Sequence, residues 1–132
     1  MANDPPISAA TRHALAEGIR RFDAERFFDA HEAWEDAWRA EQGEVRELLH
    51  GLIQIAAGFH KGLVQGRPAG MVKLLTRGLG RVDAAGRTEL VTLEPFRSGV
   101  ASWLEAARAW AAGGARPELP LPKLGTGDRG SP

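Results

Sequence analysis

The residues best suited to chemistry lie together in the segment FFDAHEAWEDAWR, which runs from Phe27 to Arg39. Because a helix advances about 100° per residue, it would place His31 and Glu35 one turn apart on one face, with Trp38 nearly over His31. Imidazole and carboxylate at this spacing can bind each other or a common atom. Since a buried polar group without a partner costs about 2 kcal/mol or more, the spacing predicts a satisfied polar pair or a ligand site.

One interpretation of this pair is a metal site in an enzyme. A catalytic zinc ion usually has three protein ligands and a water molecule, so a further ligand must come from another helix, and His60 is the best candidate. The set of His31, Glu35 and His60 would also suit iron or manganese. The bound ion would activate a water molecule for hydrolysis, with assistance from Glu32 or Gln54.

Two other interpretations remain open. In a binding module, the same residues would line a pocket between the second and third helices, and Trp34 or Trp38 would stack on a small organic ligand. In a structural or interaction protein, His31 and Glu35 would form a buried hydrogen-bonded pair that fixes helix register. An apolar helix face would then make a homodimer or dock a partner protein.

A second histidine motif is weaker. Glu47 and His50 match the Glu-x-x-His spacing of di-iron bundles. Such bundles use two of these motifs and two further glutamates, and the sequence contains no second copy. We therefore expect Glu47 and His50 to be surface residues.

Composition excludes several classes of function. The chain has no cysteine, so thiolate metal ligands, thiol nucleophiles and disulfides are excluded. Its 17 basic and 17 acidic residues are interspersed, which does not indicate binding to nucleic acid or to an anionic membrane. No apolar run approaches the roughly 20 residues of a membrane-spanning helix, and the N-terminus lacks a signal pattern. We therefore expect a cytoplasmic protein.

The elements that position the motif are predicted to be helices. Residue 43 is a glycine suited to the turn after the motif helix. The next helix is the longest and is apolar on most sides between Leu52 and Phe59, which is typical of a helix surrounded by others. Gly51 and Gly58 lie on nearly the same side of it, where a neighbouring backbone could approach. The sequence predicts an all-α, single-domain bundle of about five helices with a long buried central helix.

The apolar periodicity also predicts where these helices begin and end. The last helix carries a capping-box pattern from Ser102 to Glu105. We expect a flexible N-terminus over residues 1–7, the helical domain over residues 8–112 and, because Gly and Pro are frequent and apolar residues few, a disordered tail over residues 113–132. The predicted helices span residues 8–22, 27–40, 44–65, 68–86 and about 102–112.

The motif and the segment LLHGLIQIAAGFHKGLVQG that follows it resemble DUF309, a family of small bacterial and archaeal proteins. The hallmark of this family is His, three residues, Glu, two residues and an aromatic residue, which matches His31, Glu35 and Trp38. A Leu-Ile-Gln segment and a later histidine in the next helix match residues 52–54 and His60. The resemblance implies a helical bundle and a suspected metal-binding motif, but the family name records no established activity.

The resemblance covers residues 19–82 well and the last helix loosely. Two positions depart from the family pattern. Glu25 stands where members often have glycine at the first turn, and Gly66-Arg67 replaces a frequent Gly-Asn. Both departures concern local turn geometry.

Overall fold

The computed structural model describes residues 7–85 and 91–125 of the chain. Over these ranges the chain forms one all-α domain of five α-helices, which confirms the predicted fold class. A π-helical turn, His60–Val64, continues the third helix. None of the described helices is long and apolar enough to cross a membrane. The helices are α1 (Ala9–Asp23), α2 (Phe27–Ala40), α3 (Gly43–Phe59), α4 (Pro68–Ala84) and α5 (Phe96–Ala111).

Helix α3 lies at the centre of the bundle. It packs between α2 and α4, while α1 packs against α2 and α5 against α4. The ring of Phe22 lies 5.7 Å from the ring of Phe59 and 5.5 Å from that of Phe96, so α1 also closes onto α3 and α5. The prediction of a long buried central helix is therefore confirmed. The α3 residues without exposed surface are Leu48, Leu49, Leu52, Ile55, Ala56 and Phe59.

Helices α3 and α4 touch through their backbones at two glycines. A Cβ atom on Gly51 would lie 2.9 Å from the carbonyl oxygen of Gly78, and one on Gly78 would lie 2.8 Å from the carbonyl oxygen of Gly51. The approach predicted for Gly51 is therefore present. Gly58 instead faces the side chains of Leu74 and Leu75.

The turn between α1 and α2 holds a side chain in an unusual backbone conformation. Glu25 has a φ of 65°. Its N–H donates to the carbonyl of Phe22 and the N–H of Arg26 donates to that of Arg21, both at 2.8 Å, which is the hydrogen-bond pattern of a Schellman turn. This turn favours glycine at the left-handed position, so the departure at Glu25 falls where a side chain is least favourable.

The last helix begins earlier than predicted. Helix α5 starts at Phe96, and the expected capping box from Ser102 to Glu105 lies inside the helix. The carboxylate of Glu94 accepts hydrogen bonds from the backbone N–H and the hydroxyl of Ser98, so it satisfies donors in the first turn. Phe96 extends the buried stripe by one turn, since it is 1% exposed. Residue 86, the predicted end of the fourth helix, lies outside the described residues.

The segment after α5 packs against the bundle as far as Gly125. Leu124 is 2% exposed, and the indole Nε1–H of Trp103 donates to the carbonyl of Pro120 at 2.9 Å. This differs from the expected disordered tail, because a few apolar side chains and backbone hydrogen bonds anchor the segment. Residues 126–132 of that tail lie outside the described residues, as do residues 1–6 of the expected flexible N-terminus.

Candidate functional site

His31 and Glu35 meet on the surface of α2. The Nε2 atom of His31 lies 3.5 Å from Oε2 of Glu35, and their side chains are 23% and 31% exposed. Glu35 also contacts the guanidinium of Arg39 at 3.3 Å. The contact is a half-buried ion-pair geometry at the outer limit of hydrogen-bonding distance, in contrast to the buried hydrogen-bonded pair of the structural interpretation.

The other imidazole nitrogen of His31 is enclosed. Nδ1 is buried and has no hydrogen-bond partner among the described residues. A proton on Nδ1 would be an unsatisfied donor, whereas Nε2 lies near the Glu35 carboxylate. Of the two neutral tautomers, the surroundings therefore favour the one with its hydrogen on Nε2. In this arrangement Glu35 orients the imidazole.

His31 and His60 line one pocket between α2 and the end of α3. The exposed ring of Phe28 lies 5.5 Å from each imidazole, stacked on His31 and tilted against His60. The pocket has a volume of about 260 Å³. The structure thus brings together two of the three expected metal ligands. The lining residues are Phe28, His31, Ala57, His60, Lys61, Gln65 and Leu74.

The π-helical turn contributes to the lining of this pocket. Wider turns of this type add a residue to the helix and are frequent at functional sites. Here the turn carries His60 and Lys61 into the pocket lining. It packs tightly on α4, because a Cβ atom on Gly62 would lie 2.2 Å from Sδ of Met71. The apolar periodicity could not predict this turn, since it departs from the usual helical repeat.

The described residues contain no group of three or more His, Asp or Glu side chains that could hold a metal ion. The expected ligand set of His31, Glu35 and His60 is therefore not assembled in this structure. Glu35 does not line the pocket with His31 and His60, and its carboxylate pairs with Arg39 instead. Glu32, the expected assisting carboxylate, is exposed.

Trp34 belongs to the core and not to the pocket. Its side chain has no exposed surface, and its Nε1–H donates to the backbone carbonyl of Leu15 at 3.1 Å. Its ring stacks on Phe22 with 6.1 Å between centroids. Gly18 makes room for the indole on α1. Because it is enclosed in the core, the indole of Trp34 has no exposed face on which a ligand could stack.

Trp38 lies at the opposite end of the contact between α2 and α3. The guanidinium of Arg46 lies 4.1 Å from the centre of its ring, and the His50 ring lies 5.3 Å away. Its Nε1 atom is buried without a hydrogen-bond partner among the described residues. Trp38 therefore shares the motif stripe with His31 but does not line the pocket.

Gln54 takes part in a polar cluster that joins α3 to α4. The Nε–H of Arg81 donates to Oε1 of Gln54 at 3.0 Å, and Nη1 of Arg81 donates to both carboxylate oxygens of Glu47 at 3.1 and 3.2 Å. Burial lowers the pKa of His50, and the charge of Arg81 lowers it further against a weaker opposite effect of Glu47. Glu47 and His50 are thus partly buried cluster residues and not the free surface residues expected.

Sequence reasoning missed Phe28, Lys61 and Gln65 as pocket residues. The sequence could have indicated Phe28, because it lies three residues before His31 on the same stripe of α2. Its side chain is 51% exposed in the structure. No sequence feature distinguishes Lys61 and Gln65 from other polar residues of the chain. Their place in the pocket follows from the π-helical turn.

The family model described as "Domain of unknown function (DUF309)" matches residues 15–74. This range runs from the middle of α1 into α4 and contains every residue that lines the pocket. No curated protein matches the chain. The resemblance noted in the sequence is confirmed over residues 15–74, where the chain matches the DUF309 family model.

Proposed function

We propose that this domain is a binding module for a small organic anion, held in the pocket between α2 and the end of α3. The observation that carries the proposal is the convergence of His31, His60 and Lys61 on one cavity beside the exposed ring of Phe28. The nitrogen atoms come from two elements that are distant in sequence, so the folded bundle has to assemble them.

The chemistry of the lining indicates the class of ligand. Lys61 supplies a positive charge and the imidazole of His60 supplies an N–H donor, which together suit a carboxylate. No carboxylate lines the pocket among the described residues. Phe28, Ala57 and Leu74 supply apolar walls for the body of the ligand. The ligand would therefore have an acidic head and an apolar or aromatic body.

The size of the cavity limits the ligand further. Its volume of about 260 Å³ lies just below the range of about 300–1,000 Å³ typical of ligand pockets. A single ring with one acidic group is of the appropriate size. Glu35 would act as a positioning residue, because it contacts His31 and lies outside the lining.

The two other interpretations have less support. A metal-dependent hydrolase needs a ligand set that the described residues do not assemble. A purely structural pair is also less favoured, because ion pairs as exposed as His31 and Glu35 contribute only about 0–1 kcal/mol. Neither accounts for an exposed aromatic ring next to two histidines.

The proposal is tested by calorimetric titration of the full chain with benzoate, phenylacetate and short aliphatic acids, and with benzamide as an uncharged analogue. We expect the best acid to bind at least about tenfold more tightly than benzamide, since the amide lacks the charge that pairs with Lys61. His60→Ala and Lys61→Ala should each weaken binding by about tenfold. Lys73→Ala is the matched control, because Lys73 is exposed and lies outside the lining.

The same titrations can contradict the proposal. Equal binding of acids and amides, or equal binding by the Lys61 and Lys73 variants, would show that the charge in the pocket selects nothing. Stoichiometric binding of Zn²⁺, Mn²⁺ or Fe²⁺ that is lost in both His31→Ala and Glu35→Gln would favour the metal interpretation instead.

A further inference from the structure

The segment after α5 runs back along that helix to the end of α1. We call residues 115–125 the strap. Helix α5 ends at Ala111, and Gly113 makes the reversal with a φ of 110°. Early in the strap, the guanidinium of Arg116 donates to the carbonyl of Leu63 in the π-helical turn at 2.8 Å. The strap has no helix or strand over residues 115–123, so side chains and single hydrogen bonds hold it in place.

Two prolines of the strap have specific contacts on α5. The Nε1–H of Trp103 donates to the carbonyl of Pro120 at 2.9 Å. Pro122 lies over Gly99, where an added Cβ atom would be 3.0 Å from the Cβ of the proline ring. Because Gly99 has no side chain, the ring of Pro122 can lie directly over it. The buried indole of Trp103 provides the donor for the carbonyl of Pro120.

The end of the strap is held by the last residue of α1. The two carboxylate oxygens of Asp23 accept the backbone N–H groups of Leu124 and Gly125, each at 2.8 Å. The Lys123 ammonium donates to the Asp23 carbonyl, also at 2.8 Å. The Leu124 side chain is 2% exposed. The end of the strap is therefore bound in two ways. The apolar side chain of Leu124 is buried, and Asp23 binds backbone N–H groups, which any peptide in the same position would present.

The strap does not fill the groove that α5 and the end of α1 form beneath it. A cavity of about 400 Å³ remains between the strap and the buried α5 side chains Phe96 and Trp103. Apart from Ser102 and Lys123, its lining consists of apolar residues and Gly99. The unfilled space lies beside Pro120 and Pro122, which both line it.

We propose that the groove formed by α5 and the end of α1 is a recognition site for proline-rich peptides of the pattern Leu-Pro-x-Pro-x-Leu. Residues 119–124 of the strap, LPLPKL, are its intramolecular ligand. The partner is a segment of the same chemistry in another protein, which would displace the strap. This site shares no lining residue with the pocket between α2 and α3.

The physical basis is the behaviour of proline in peptide recognition. Proline has a restricted φ and no N–H, so an extended proline-rich segment loses little entropy on binding and leaves no backbone donor unsatisfied. Aromatic grooves bind such segments through their carbonyls and rings. Trp103 and Gly99 supply the corresponding contacts here, and Asp23 binds the N–H groups after the last proline.

The experiment uses full-length protein with a weakened strap, Pro122→Ser combined with Leu124→Ser. A fluorescent peptide with the sequence ARPELPLPKLG is titrated by anisotropy, and a scrambled peptide serves as the control. The open variant should bind the peptide at least about tenfold more tightly than the wild type, because the tethered strap competes at an effective concentration of roughly millimolar. Trp103→Phe in the open variant should weaken binding by about fivefold, through loss of one hydrogen bond.

Hydrogen exchange at the Gly125 amide shows whether the strap is released. If the double variant does not fold, Pro122→Ser alone loosens the strap and leaves Leu124 and every residue of the groove unchanged. A folded variant with a released strap that binds the peptide no better than the scrambled control would overturn the proposal. It would also be overturned if the released strap bound only a second copy of the chain, seen as a concentration-dependent dimer in sedimentation.

Discussion

At the scale of single residues, the motif of α2 distributes its side chains among different surroundings. His31 reaches the pocket, Glu35 lies beside it, Trp34 is in the core and Trp38 contacts Arg46. A stripe on a helical wheel predicts which residues share a side. It does not predict which neighbouring helix each one meets, and that neighbour decides its chemistry.

Glu25 provides a test of backbone strain at this scale. Glu25→Gly should raise the free energy of unfolding by about 1 kcal/mol, because glycine adopts a positive φ without the steric cost paid by other residues. The gain corresponds to an increase in Tm of about 3–5 °C. Urea unfolding measures it. Glu25→Ala is the control, and an equal gain in both variants would show that the side chain and not the backbone is responsible.

His50 provides a test of pH dependence. Its pKa is lowered in the folded protein by burial and by the charge of Arg81, so the unfolded chain binds a proton more readily. The stability linked to His50 is therefore complete above its usual pKa of 6.5 and is lost as the pH falls through the folded pKa.

When the pH is lowered from 8 to below the folded pKa of His50, we expect the free energy of unfolding to fall less for His50→Gln than for the wild type. Chemical denaturation at a series of pH values makes the comparison. His13→Gln, at an exposed position of α1, is the control for replacing a histidine outside this cluster. Parallel profiles for wild type and His50→Gln would contradict the expectation.

At the scale of elements, the contact between α3 and α4 depends on the absence of side chains. Gly51 and Gly78 bring two backbones together, and the polar cluster around Arg81 lies along the same pair of helices. The spacing of Gly51 and Gly58 indicated a side of α3 where a backbone could approach, and the structure has a backbone contact at Gly51 alone of the two. Which helix would approach was decided by the packing of the whole bundle.

Two glycines of α4 give opposite predictions. Gly78→Ala should destabilise the protein by about 2 kcal/mol, because its Cβ atom would lie 2.8 Å from the Gly51 carbonyl and 2.7 Å from Ile55 Cγ1. Gly80→Ala should stabilise it by about 0.5–1 kcal/mol through helix propensity, since no described atom lies within 4 Å of the added methyl. Thermal and urea unfolding of both variants measure the difference. A loss of stability at Gly80 would contradict this account.

At the scale of the whole molecule, the strap links the end of the third helix to the end of the first. It contacts the π-helical turn through Arg116 and the end of α1 through Asp23. A segment of this kind is a separate stability unit, because it is anchored at a few points and can open while the core stays folded.

Leu124→Ala should therefore act locally. The removal of a buried leucine side chain costs about 2 kcal/mol, so exchange of the Gly125 amide should increase about thirtyfold. The α3 amides should keep their protection. Leu119→Ala is the matched control, since Leu119 lies in the same strap and is 39% exposed. Increased exchange throughout α3 would show that the strap is part of the global folding unit.

The sequence by itself determined the helical class, the number of helices, the central position of α3 and the resemblance to DUF309. Those features follow from apolar periodicity and from a motif with local spacing, both of which are read along a single helix. The tertiary structure alone decided which residues meet across helices: His31 with His60 and Phe28, Gln54 with Arg81, and the strap with Trp103. These contacts join residues distant in the chain, and they depend on a π-helical turn, a backbone contact and a reversal at Gly113 that periodicity does not encode.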